Sequence, residues 1–162
     1  MNLQPFDRCE DLKVAADAKR AGEVLEFRYS LAGEVGNVVI PPSLPPTRTD
    51  GLWKSTCFEA FISTGKTSYV ELNFAPSGQW AAYSFTDHRR GMRELDIPPP
   101  KISFAENHLI AEVELAAKPG SALNMTAVIE RTNGTRSYWA LAHAKADRPD
   151  FHARDCFIAK LP

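Results

Sequence analysis

From Leu12 onward the chain is a succession of short runs, mostly with apolar residues at every second position, and most of them end in a turn signal. Side chains of a strand alternate between two faces, so such a run has one side to bury and one that tolerates water. The alternation is cleanest in Tyr69-Val70-Glu71-Leu72-Asn73-Phe74. Residues 58–62 precede it across Thr64-Gly65-Lys66, and residues 79–85 follow it across Ala75-Pro76-Ser77-Gly78. Residues 102–104 lead through Glu106-Asn107 into 109–115, and runs at 12–18 and 24–31 surround Ala21-Gly22. Residues 123–131 and 136–143 flank Thr132-Asn133-Gly134-Thr135. An Asn-Gly pair between strand-like runs signals a hairpin, because both residues tolerate positive φ. Helical periodicity is weak throughout, and its best stretch, 9–20, reads equally well as a strand. Many half-polar strands with turns every few residues imply an all-β chain. The expected architecture is a two-sheet antiparallel β-sandwich of about nine to eleven strands.

The proline clusters at 41–46 and 98–100 cannot lie inside a sheet, since proline fixes φ and lacks an amide hydrogen. The pieces between them are too short to hold separate cores, so residues 1–162 read as one domain. Nineteen Lys and Arg against 20 Asp and Glu leave a net charge of −1. That balance argues against nucleic acid or an anionic membrane as partner, both of which need a basic surplus. No apolar stretch approaches the roughly 20 residues of a spanning helix. Three cysteines without CxxC spacing, and no export signal within the first ten residues, set the expectation of reduced thiols in a cytoplasm.

Register decides which side chains share a face. With Asn133-Gly134 as a two-residue loop, Arg131 faces Arg136 and Val128 faces Trp139. The two arginines then either splay into water or share a carboxylate. A four-residue loop at 75–78 sets Trp80 beside Asn73 and puts Tyr83 on the core side with Val70 and Leu72. The other face then gathers Tyr69, Glu71, Asn73 and Trp80. An indole beside an amide and a carboxylate suits a sugar, offering a flat platform for C–H groups and fixed atoms for hydroxyls. A solvated outer sheet face with one half-covered indole is the alternative. Glu59 lies beside Asn73 if the loop around Gly65 has an odd length, and is directed towards Leu72 if it is even.

Several of these residues form a wider pattern. They are Leu52-Trp53-Lys54 with Thr56-Cys57-Phe58-Glu59, the stretch from Tyr69 through Glu71, Asn73, Pro76-Ser77-Gly78 and Trp80 to Tyr83, then Tyr138-Trp139-Ala140-Leu141 with His143, and Pro149-Asp150-Phe151-His152. Together they resemble the bacterial DOMON-like domains, relatives of the family-9 carbohydrate-binding modules. The resemblance runs from about Leu12 to the C-terminus and is most specific from Trp53 to Pro76. It implies a β-sandwich with a ligand cleft on one sheet, and relatives that bind either sugars or haem. In the sugar-binding modules a Trp six residues before a Glu opens the site, a spacing that Trp53 and Glu59 match. A second Trp from a late strand closes over the sugar, and Trp139 is its candidate.

Other chemistries find less support in the residues. Haem needs axial ligands, typically Met and His, but Met125 and His143 fall on opposite faces and His88 and Met92 sit in a loop. No HExxH or cysteine-rich metal spacing, nucleophile elbow or phosphate loop is present. The expectation is therefore a cytoplasmic, non-catalytic module for a small ligand of the saccharide class, with no cofactor and no metal. Its candidate ligand-binding residues are Trp53, Glu59, Tyr69, Glu71, Asn73, Trp80, Arg136 and Trp139. A protein–protein interaction module using an exposed sheet face is the alternative.

Overall fold

A computed structural model describes residues 1–162. The strands are β1 (Gln4–Pro5), β2 (Leu12–Ala21), β3 (Val24–Gly33), β4 (Cys57–Ser63), β5 (Tyr69–Phe74), β6 (Trp80–Phe85) and β7 (Arg93–Glu94), then β8 (Lys101–Ala105), β9 (His108–Glu114), β10 (Ala122–Glu130), β11 (Arg136–Ala140) and β12 (Ala159–Lys160). They form two antiparallel sheets. The smaller runs β2-β3-β9-β8, and the larger runs β1-β11-β10-β4-β5-β6-β7 with β12 paired to the start of β10. No helix is long and apolar enough to cross a membrane.

The period of two builds the core. Val14, Phe27, Tyr29 and Leu109 of the smaller sheet point inward, against Phe58, Leu72, Phe74 and Met125 of the larger. Phe27 stacks on Phe74 at 5.8 Å between ring centroids, and Tyr29 tilts against Phe58 at 5.0 Å. The Tyr29 hydroxyl donates to the Glu59 carbonyl at 2.7 Å, so burial leaves no orphan hydroxyl there. The smaller sheet turns Lys13, Asp17 and Arg28 outward into water. The larger sheet behaves differently, because every residue of β5 is buried on both faces. Its outer face is therefore roofed, and the roof defines the site.

Three loop lengths set the faces. Ser63 pairs with Tyr69 across a five-residue loop, so the odd alternative holds and Glu59 lies beside Asn73. Between β5 and β6 the loop also has five residues, not four. The Ala75 amide donates to the Gln79 carbonyl, and Gly78, at φ +92°, takes the left-handed turn that admits Gln79 as the fifth. Phe74 consequently pairs with Trp80, and Asn73 with Ala81. This one-residue shift sends Trp80 into the inter-sheet core and brings Tyr83 out beside Glu71, the reverse of the expected faces. At the β10–β11 hairpin the loop has five residues, 131–135, rather than two, with the Arg131 amide donating to the Thr135 carbonyl and Gly134 at φ +83°. Arg136 thus faces Glu130 rather than Arg131, and Trp139 pairs with Ala127 rather than Val128.

Candidate functional site

The outer face of the larger sheet holds a hollow of about 900 Å³. Its floor comes from Glu59 and Phe61 on β4, Glu71 on β5, Tyr83 and Phe85 on β6, Val128 on β10 and Tyr138 on β11. These are the residues that alternation turns away from the core. Three loops raise the walls. The first carries Asp50, Trp53 and Lys54, the second Arg89 and Met92, and the third Arg148, Phe151 and His152. Gly51, at φ +72°, starts the single 3-10 turn Leu52–Lys54 that presents Trp53 at the mouth, 52% exposed.

The floor carries two buried acids. Glu59 is 3% exposed and Glu71 6%. Thr126 donates its hydroxyl to Glu59 Oε2 at 2.9 Å, and Asn73 donates its amide to Glu71 Oε1 at 2.8 Å. Burial, and then the neighbouring Glu71 charge, push Glu59 up to about 8, so at neutral pH the pair retains a proton. Burial raises Glu71 as well, opposed by the Asn73 hydrogen bond and the Arg89 charge.

Behind the acids a hydrogen-bonded chain fixes His152. The Arg89 amide donates to Tyr69 Oη at 3.1 Å, and the same oxygen is hydrogen-bonded to His152 Nδ1 at 2.7 Å. His152 Nε2 faces Glu71 Oε2 at 3.8 Å. Burial and the positive Arg89 lower His152 to about 4, which keeps the ring neutral. Arg89 itself has a left-handed backbone, φ +53°, and its guanidinium binds Asp150 at 2.9 Å. His88 Nε2 meets the other Asp150 oxygen at 2.8 Å. Burial works to raise Asp150, but these two hydrogen bonds outweigh it and hold it low. The second and third loops are thereby tied together across the hollow. Tyr83 donates to Asp50 and so ties the first loop to β6.

The residues expected at a site separate into three groups. Trp53, Glu59 and Glu71 line the hollow. Tyr69 and Asn73 stand just behind, orienting His152 and Glu71. Trp80, Trp139 and Arg136 are elsewhere. Trp80 is 4% exposed in the core, with the Arg48 guanidinium 4.3 Å from its ring centroid. Trp139 is 2% exposed in the same core, and its indole N–H donates to Ser137 at 2.9 Å. Neither indole reaches a ligand in the hollow. Arg136 sits at the hairpin tip, 3.5 Å from Glu130 and beside a separate depression of about 480 Å³. Of the haem ligands considered, Met125 is in the inter-sheet core and His143 bonds the Gln4 carbonyl. Sequence reasoning did not assign Phe61, Tyr83, Tyr138, Arg148, Phe151 or His152 to a site. A five-residue loop at 75–79 would have found Tyr83, whereas Phe151 and His152, although part of the family-like pattern, reach the sheet through long-range contacts that no local spacing announces.

No protein-family model matches the chain, and no curated protein is significantly similar to it. Among solved structures, the chain is similar to a candidate carbohydrate-binding protein from Bacteroides uniformis. The two superpose with a TM-score of 0.66 at 13% identity, over 95% of this chain and 83% of the other. At that identity the likeness is one of fold: both are built on the same two-sheet plan.

Proposed function

We propose that this chain is a non-catalytic binding module that takes a small saccharide in the hollow of the larger sheet. The observation that carries the reading is the convergence of buried, oriented acids with aromatic and aliphatic walls in one concavity. Hollows of several hundred Å³ with few fixed polar groups are what small ligands occupy. Trp53 offers an exposed ring at the mouth, Phe61, Tyr138 and Phe151 offer apolar surface within, and Glu59 and Glu71 offer carboxyl groups for hydrogen bonds. The resemblance of Trp53 and Glu59 to the Trp–Glu spacing of family-9 carbohydrate-binding modules and DOMON-like domains supports the same reading. So does the fold shared with the Bacteroides uniformis protein. A flat docking face for a protein partner fits less well, because the polar groups are gathered into a concavity. The free thiols, Cys57 and Cys156 buried and Cys9 half-buried, suit a reducing compartment such as the cytoplasm.

The test is thermal unfolding in the presence of mono- and oligosaccharides. A ligand at about 100 times its dissociation constant adds roughly 2.7 kcal/mol, or about 5–11 °C for a chain of this length. Trp53→Ala should abolish that shift. Stabilisation by no saccharide, or stabilisation that survives Trp53→Ala undiminished, overturns the stacking mechanism.

A further inference from the structure

Charge in the hollow is sorted by depth. Its buried carboxyls are Glu59 and Glu71, while its cationic side chains, Lys54, Arg89 and Arg148, are all exposed and the half-buried His152 is neutral. Arg89 is engaged by Asp150 at 2.9 Å. Each buried acid has one oxygen held, by Thr126 or Asn73, and its second oxygen makes no hydrogen bond within the protein. His152 Nε2 stops 3.8 Å short of Glu71 Oε2. The floor therefore presents one free carboxyl oxygen from each of two adjacent strands, with no charged base at their depth.

Burial, and then mutual repulsion, oppose ionising both carboxyls unless a cation joins them. Unliganded, the pair meets this by keeping a proton on Glu59. A neutral polyol can donate hydroxyl hydrogens to the free oxygens but leaves the proton in place. A site built for zinc uses at least three good side-chain ligands. No group of three or more His, Cys, Asp or Glu side chains is placed to hold one. An ammonium group supplies a compact charge and three donors at once. Phe61, Tyr83 and Tyr138 line the same hollow, and aromatic rings attract a cation.

We propose that the hollow selects an amino sugar, with the protonated amine seated between Glu59 and Glu71 and the ring packed towards Trp53. The inference rests on the saccharide reading above. The amine takes the place of the Glu59 proton, so binding releases one proton to solvent. Other groups facing the pair do not supply that proton. His152 is already neutral, Arg89 is paired, and burial raises Tyr29 and Cys57 beneath, keeping them protonated.

Calorimetric titration with glucosamine, N-acetylglucosamine and glucose at pH 6.5 tests this. Glucosamine should bind at least about tenfold tighter than either neutral sugar, a difference of about 1.4 kcal/mol. Its heat should vary with the ionisation enthalpy of the buffer, as release of one proton requires. Glu59→Gln and Glu71→Gln should each collapse the preference for glucosamine over glucose and remove the buffer dependence, with folding checked by thermal unfolding. Glucose binding as tightly as glucosamine overturns the amine inference and leaves the saccharide reading standing. If no sugar binds, cyclohexylamine separates the two ideas. Its binding keeps the amine seat and removes the saccharide, and its failure to bind overturns both.

Discussion

Replacing Glu59 by glutamine should make the protein more stable at neutral pH, although the residue is almost fully buried. The native carboxyl keeps its proton up to about pH 8, while in the unfolded chain it ionises near 4.5. Below pH 4.5 both states are protonated and the group has no effect. As pH rises from there towards 8, the unfolded state gains an ionised form that the native state resists, so stability falls. At pH 7 the native proton has been retained for roughly 2.5 pH units, a loss of roughly 3 kcal/mol. Glutamine cannot ionise, and its amide oxygen can still accept the Thr126 hydroxyl that Glu59 holds at 2.9 Å. The variant should match the parent at pH 4.5 and exceed it by about 3 kcal/mol at pH 7. That gap is worth about 6–12 °C in Tm for a chain of this length. Urea or thermal unfolding from pH 4.5 to 8 measures it. Acid losses from Asp150, Asp11 and Glu26, which native partners hold low, are common to both proteins and cancel in the difference. A gap that does not change with pH would refute the idea that burial beside Glu71 forces the proton onto Glu59.

Trp139→Ala should cost about 3–5 kcal/mol in urea unfolding, as truncation of a large core side chain does, whereas Trp53→Ala should stay within about 0.5 kcal/mol. Equal costs would contradict the placement of the two indoles. His152 should show no protonation between pH 8 and 5 in ring-nitrogen NMR. Because its native value is depressed to about 4, stability linked to it is present above pH 6.5 and declines as pH falls towards 4. A midpoint near 6.5 would count against the Arg89–Tyr69–His152 chain. Tyr29→Phe should lose about 1–2 kcal/mol, read from the urea midpoint, since it deprives the buried Glu59 carbonyl of a donor.

The strands were legible because alternation is local. Residues 69–74, 79–85 and 123–131 announce themselves through their own apolar spacing, and the expected turn at Glu106-Asn107 closes with both residues at positive φ, +50° and +64°. The site was only half legible, because a face depends on loop parity and parity is set by single residues. Glu59, Glu71 and Asn73 share a face across the five-residue loop at 64–68. Trp80 lost its expected place because Gln79 joins the turn after Gly78, which reverses every side chain of β6. Trp139 was displaced in the same way by Gly134. Phe151 and His152 come from a segment whose position depends on anchors far away in sequence, such as Asp150 bridging to His88 and Arg89, and the Asn124 amide donating to the Phe151 carbonyl at 3.1 Å. Spacing within 148–157 carries no trace of those anchors.

The uneven burial of the three tryptophans gives the molecule an optical handle. Two indoles are sealed at 4% and 2% exposure, and the third, Trp53, stands 52% open at the entrance. A water-soluble quencher such as iodide should extinguish Trp53 emission alone, leaving a blue-shifted remainder from the interior pair. Occupancy of the entrance can then be followed as lost quenching, on unmodified protein and without a dye.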